Sequence, residues 1–153
     1  MSVVGTVVTF GVGDETFAIP VSKVQEVLEM RQISRLPGSP DHVLGVIDVR
    51  GHGVSVIDLR RIMKLPEEGD SEATRIIVLW LDEADLDARV AMRADRVYEV
   101  TLLDDDRIEP VPKAELLRWD AGLVSGLGRR HEAFVALLDL DRLFASLPSQ
   151  LAA

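Results

Sequence analysis

The sequence predicts an all-β protein of the barrel or sandwich type, built from a duplicated lobe. Three observations carry that reading. Short apolar runs, many with β-branched residues, are broken by Gly, Pro and acidic turns along most of the 153 residues. Helical periodicity is scarce. Two separate segments of the chain repeat in the same order.

The elements follow from these signals in turn. Thr6–Gly11 and Thr16–Ile19 flank GVGDET (11–16), whose glycines and acids suit a hairpin turn. Further strands are predicted at Val24–Met30, Val43–Val49, Gly53–Asp58, Thr74–Trp80, Arg89–Ala94, Arg96–Leu103, Arg107–Glu109, Leu123–Leu127 and Ala133–Leu138. Helices are predicted at Asp58–Lys64, at Pro112–Trp119 with a proline in its first turn, and at Asp141–Leu147 with Asp141 as a possible cap. The acidic clusters EEGDSE (67–72), DEADLD (82–87) and DDD (104–106) lie between apolar runs and read as solvated loops.

The repeat is visible in two alignments. FAIPVSKVQEV (17–27) matches VAMRADRVYEV (90–100), with Ala18/Ala91, Val24/Val97, Glu26/Glu99 and Val27/Val100 identical. VLGVIDVRGHGVSVIDLRRI (43–62) matches VSGLGRRHEAFVALLDLDRL (124–143), with Gly45/Gly126, Val54/Val135, Asp58/Asp139 and Leu59/Leu140 among the identities. Asp58 and Asp139 both stand where a strand meets a helix, so capping accounts for them. Repeats of this kind signal architecture and leave function open.

Composition narrows the function classes. A net charge of −9 argues against nucleic acid or an anionic lipid surface as the main partner. With no cysteine, no disulfide, thiolate metal site or thiol nucleophile is possible. MSVVGTVVTF lacks the basic region of a signal peptide, and no apolar run reaches the ~18 residues needed to span a bilayer. A cytoplasmic protein without direct membrane insertion is expected.

Catalytic patterns are not found. His42, His52 and His131 lack metal-ligand spacing, VSGLG (124–128) is not a nucleophile elbow, and no glycine-rich phosphate loop opens a helix. Neither an enzyme, a cofactor nor a metal is therefore expected. Display stands out instead. Arg50 lies at the tip of the predicted hairpin GVIDVRGHGVSVIDL (45–59), where Gly51 and Gly53 permit a tight reversal. Asp48 and Arg50, two apart on a strand, would share a face and be able to pair; Val24 and Glu26 would likewise share one.

These residues resemble the CheW-like family of chemotaxis coupling proteins over nearly the whole chain. The resemblance rests on Phe10–Glu29, on PGSPDHVLGVIDVRG (37–51), on VSVIDLR (54–60), on VAMRADRVYEV and VSGLG, and on the terminal LLDLDRLF. It implies one domain over about 1–147 with a tail at 148–153, folded as two SH3-like five-stranded β-barrel lobes. Lobe one would hold about 14–72, and lobe two about 1–13 plus 73–147. It implies a non-catalytic adaptor between the cytoplasmic tips of methyl-accepting chemoreceptors and the regulatory domain of the histidine kinase CheA, recruited to inner-membrane arrays. Val24, Glu26, Asp48 and Arg50 would face the receptor. Gly45, Val46 and Gly51 would belong to a kinase contact, and the lobe around Val124–Leu138 to a second one.

Two positions depart from the family pattern, which has Asn where Asp48 stands and Pro where Ser55 stands. Asp48 could therefore neutralise Arg50, and a paralogue serving a non-flagellar chemosensory pathway is the alternative reading. A small-molecule-binding β-barrel is a further one, disfavoured by 5% aromatic content.

Overall fold

Among the described residues, ten strands pair into two five-stranded sheets, and each sheet draws strands from both halves of the chain. The computed structural model describes residues 4–67, 69–81, 89–112 and 123–145. Lobe one is the sheet of β3 (Val24–Glu29), β6 (Arg75–Trp80), β7 (Arg89–Ala94), β5 (His52–Asp58) and β4 (Val43–Val49), in that order. Lobe two is the sheet of β8 (Arg96–Thr101), β1 (Val7–Val12), β2 (Glu15–Pro20), β10 (Ala133–Leu138) and β9 (Val124–Arg130). Two short helices, α1 (Leu59–Met63) and α2 (Leu140–Ala145), follow β5 and β10.

The order of pairing explains the repeat. β1–β5 and β6–β10 are equivalent halves, but the first two strands of each half cross over into the other lobe. Register preserves the equivalence: Val56 of β5 pairs in parallel with Ala91 of β7, and Leu137 of β10 pairs in parallel with Ala18 of β2. These four residues are counterparts in the sequence alignment. The division of the chain consequently differs from the predicted one: β2 lies in lobe two, and β6 and β7 lie in lobe one. An alignment shows which segments are equivalent, but which copy each will pair with is decided in three dimensions.

Alternation along the central strands fills three cores at once. Ile76, Val78 and Ala91 point into lobe one with Ile47, Val49, Val54 and Val56. Val7, Ala18, Leu103, Val135 and Leu137 fill lobe two. The opposite faces of the same strands, including Phe10, Phe17, Ile19, Ile57, Ile77, Leu79 and Met92, meet between the lobes with Met63 and Leu143. Both faces of these strands are thus buried, which is why β6 and β7 read as almost continuous apolar runs. Phe10 and Phe17 stack at 5.8 Å in this interlobe core.

Where β7 passes into β8, the chain crosses from one lobe to the other at Asp95. Its backbone N–H donates to Gly11 O at 2.8 Å. Its Oδ2 accepts the Gly13 N–H at 2.6 Å, and its Oδ1 accepts Arg93 Nη1 at 2.7 Å. Arg93 in turn donates through Nε to Asp70 at 2.7 Å and through Nη2 to Gly69 O at 3.2 Å. Arg93 and Asp95 are both buried.

Two local predictions are corrected. Arg107–Glu109 is not a strand; Glu109 makes an isolated bridge to Leu127, and Ser34 makes the counterpart bridge to Val46. Asp139, rather than Asp141, supports the last helix, accepting the Arg142 N–H at 3.1 Å. Asp58 caps α1 as expected, accepting the Arg60 N–H at 3.0 Å. DEADLD and nearly all of the Pro112–Trp119 segment lie outside the described residues.

The bridges explain why glycine recurs at 45 and 126. A Cβ on Gly126 would stand 2.8 Å from Glu109 O, and one on Gly45 (φ +150°) would run into Ser34 O. Gly126→Ala should therefore cost about 1–3 kcal/mol in chemical denaturation. Gly69→Ala, where a Cβ meets nothing within 4 Å, should stay within about 0.5 kcal/mol of wild type.

Candidate recognition site at the Arg50 turn

Strands β4 and β5 pair down to Val49↔His52, leaving Arg50 and Gly51 as a two-residue turn. Both have positive φ, +52° and +84°, as a type I′ turn requires. Its twist matches that of the strands, and Gly51 meets the requirement without strain. Asp48 closes the turn by accepting the Gly51 N–H on Oδ1 at 2.8 Å. Its backbone oxygen also accepts Arg31 Nη1 at 3.1 Å.

The predicted pairing of Asp48 with Arg50 is therefore not formed. Arg50 has left the strand, and its guanidinium lies 3.3 Å from Glu26 Oε2 instead. A long hydrogen bond of 3.5 Å runs to Oε1. Glu26 sits on β3, at the opposite edge of the sheet order from β4, so the sheet curls until side chains from its two edges meet. The Arg50 side chain is 74% exposed and that of Glu26 19%. An ion pair this exposed contributes about 0–1 kcal/mol. Stability does not explain an arginine here.

The remaining predicted residues divide. Val24 and Glu26 do not share a face, because the register with β6 shifts between them. Val24 packs, half-buried, against the interlobe core, while Glu26 meets Arg50. Gly45 is buried beneath Ser34, Val46 is half-buried and bonded to Ser34, and Gly51 is exposed at the tip. The structure thus brings Glu26, Asp48, Arg50 and Gly51 to one end of lobe one and places Gly45 in a packing role.

Lobe two carries the counterpart. Its turn, His131–Glu132, also has positive φ at both residues, +51° and +69°, with no glycine to relieve it. Asp104 holds it, accepting the Glu132 N–H at 2.9 Å and the His131 N–H at 3.3 Å. Glu99, the repeat equivalent of Glu26, lies 3.6 Å from His131 Nε2 and accepts Arg130 Nε at 2.6 Å. The Glu132 and His131 N–H groups and Arg130 hold the Asp104 carboxyl below its ordinary range; hydrogen bonding to Arg130 does the same for Glu99. Asp106 of the same DDD cluster accepts the Gly5 N–H at 2.9 Å. The cluster predicted as a solvated loop is a turn clamp. The Glu26/Glu99 identity was the one sequence signal pointing to it.

Outside the turns, Tyr98, Val100 and Phe134 are exposed on lobe two. Tyr98 and Phe134 border a cavity of about 350 Å3 with Thr9 and Arg130. Among the described residues, no group of three His, Asp or Glu is placed to hold a metal ion.

Two results should follow. Asp48→Asn keeps an acceptor for the Gly51 N–H and should leave stability unchanged, whereas Asp48→Ala should cost about 1 kcal/mol in denaturant titration. Because the folded-state values of Asp104 and Glu99 are depressed, their stabilisation is present above the unfolded carboxylate value and lost as pH falls through the folded one. The side-chain carboxyl carbon signals of Asp104 and Glu99 should each titrate at lower pH than in the unfolded chain, and a midpoint at or above the unfolded one would contradict the clamp.

Comparison with known proteins supplies the family. A family model described as the CheW-like domain matches residues 6–147. The chain is 33% identical over 139 residues to the chemotaxis protein CheW of Klebsiella aerogenes, covering 90% of this chain and 80% of that protein. Against CheW of Bacillus subtilis it is 32% identical over 143 residues, covering 94% and 88%. The crystal structure of the scaffolding protein TtCheW from Thermoanaerobacter tengcongensis superposes with a TM-score of 0.79 at 27% identity, covering 91% of this chain and 86% of that one. The two five-stranded lobes and the Arg50 hairpin therefore belong to a member of the CheW-like family of non-catalytic chemotaxis scaffolds.

Proposed function

We propose that this chain couples transmembrane chemoreceptors to the histidine kinase CheA, with the Arg50 turn as the receptor-facing element. The observation that carries the reading is an exposed guanidinium on a two-residue turn whose recessed partner, Glu26, contributes little to stability. Such a side chain is preorganised yet available. Its planar fork can exchange the loose Glu26 contact for a carboxylate on a helical receptor tip, leaving Glu26 to meet a cation there. Val24, packed against the interlobe core on the other face of β3, would act from behind by seating the strand that carries Glu26.

On this reading the kinase regulatory domain is met through the surface around Val46 and Gly51, with Gly45 acting from beneath by seating the Ser34 segment. The exposed Tyr98, Val100 and Phe134 of lobe two suit a second contact, since aromatic side chains often anchor interfaces. Recruitment to membrane arrays would come through the receptor, as no helix of the described residues is long and apolar enough to cross a membrane. The alternative of a retuned paralogue loses one of its two grounds. Asp48 uses an oxygen to close the turn, which the Asn usual in the family also offers.

The test is capture of purified CheA and a receptor cytoplasmic fragment by the wild type and by Arg50→Glu. Wild type should form the ternary complex. The variant should lose receptor binding about tenfold or more, keep kinase binding, and keep its thermal midpoint within about 4 °C of wild type. Unchanged receptor capture by the variant would remove Arg50 from the interface. A clear fall in midpoint would make the residue structural.

A further inference from the structure

A second cluster of arginines lies in lobe one, away from the Arg50–Glu26 pair. A cavity of about 480 Å3 opens beneath the segment before β4. Its floor is formed by Arg60 and Arg93, which are 6% and 2% exposed, and its rim by the exposed Arg31 and Arg35. Met30, Ile33 and Leu44 form a half-buried apolar wall. Four guanidinium groups around one cavity stand out in a chain of net charge −9.

Sheet topology alone does not call for the buried pair. In the equivalent half, Pro20 stands where Arg93 does and Asp141 where Arg60 does, and lobe two folds to the same strand order. Taking guanidinium groups out of water is costly, and apolar replacements are often as stable. Arg93 thus serves two sides: Nη1 ties Asp95 at the lobe crossing, while Nε faces the cavity and meets only a half-exposed carboxylate.

The chain already shows that this floor accepts an oxyanion. Arg60 is held by Asp58 in a two-point pairing at 3.1 Å, and Arg93 Nη1 by Asp95 at 2.7 Å. Both carboxylates are buried at 1% and 5% exposure and cannot withdraw. Asp70 differs. Its carboxylate sits 2.7 Å from Arg93 Nε, yet its side chain is 52% exposed and it belongs to the loop between α1 and β6. It occupies the open end of the cavity as a tethered ligand would.

We propose that this cleft binds a phosphorylated small organic molecule. The phosphate monoester displaces the Asp70 carboxylate from Arg93 Nε and engages the rim arginines, while the organic body lies on the Met30–Ile33–Leu44 wall. A free monocarboxylate competes poorly with a carboxylate tethered to the same chain. A phosphate dianion brings more charge and three acceptor oxygens that guanidinium forks match. The cavity volume falls within the range of small-molecule sites, and the acidity of the chain disfavours a polyanionic macromolecule as the occupant.

The test is an NMR titration of the full chain at constant ionic strength, with phenyl phosphate and inorganic phosphate as probes. Phenyl phosphate should shift the Arg93 and Arg60 Nε–H signals and the amides of residues 30–35 and 69–70 saturably. It should bind about tenfold more tightly than inorganic phosphate, through the apolar wall. Asp70→Asn should tighten it about tenfold, and Arg35→Glu, on the exposed rim, should weaken it about tenfold. No saturable shift in the wild type or Asp70→Asn, or the same shifts with sodium chloride alone, would overturn the proposal. Equal affinity for the two probes would overturn the organic body, and unchanged binding by Arg35→Glu the rim. None of these readouts involves a receptor or kinase, so the outcome is independent of the coupling role.

Discussion

The structure depends on a carboxylate at the point where the chain changes lobes. Asp95 accepts the guanidinium of Arg93 on one oxygen and the Gly13 N–H on the other, while its own amide bonds to Gly11. It therefore ties the last residues of a lobe-one strand to the first hairpin of lobe two. The apolar surface between the lobes is non-directional and would tolerate sliding; charged hydrogen bonds at a buried crossing do not. Breaking a buried pair of this kind leaves an uncompensated charge and costs about 3–5 kcal/mol. The exchange of strands adds a second constraint, since neither lobe has its full sheet without strands from the other half of the chain.

Held this way, the lobes present two equivalent turns with different internal wiring. In lobe one the partner of the turn residue is a single glutamate at long range, and the arginine stays mostly in solvent. In lobe two the glutamate is engaged by Arg130 at 2.6 Å, and Asp104 holds the turn amides from a neighbouring segment. One duplicated device thus leaves an exposed arginine in one lobe and forms a closed clamp in the other. The difference lies in Arg130 and Asp104, whose counterparts by the repeat are Val49 in lobe one and, at residue 31, the arginine bonded to Asp48.

Much of this was legible in the residues. β4, β7 and β10 span the predicted runs, because turn residues bound them tightly on at least one side. Gly45/Gly126 and Asp58/Asp139 identify real geometric needs, a close backbone crossing and a helix start. Other features depend on distance in space. Strand exchange leaves equivalence intact and so is silent in an alignment. The bulge between Val24 and Glu26 breaks a two-residue alternation that the letters alone suggest. Asp48 has two nearby candidates, Arg50 and the Gly51 N–H, and the positive φ of Arg50 decides for the amide. Acidic runs look alike whether they face water or, as at Asp70 and Asp104, close onto an arginine or a turn.

The central claim is that a fixed pair of lobes displays the Arg50 turn to a receptor. Hydrogen–deuterium exchange of the full chain, alone and with a receptor cytoplasmic fragment, tests it most directly. Added protection is expected at Val24–Glu29 and across the turn from Val49 to Gly53, with the interlobe strands unchanged. Protection confined to β8 and β10 of lobe two, with the Arg50 turn exchanging as in the free protein, would contradict the account.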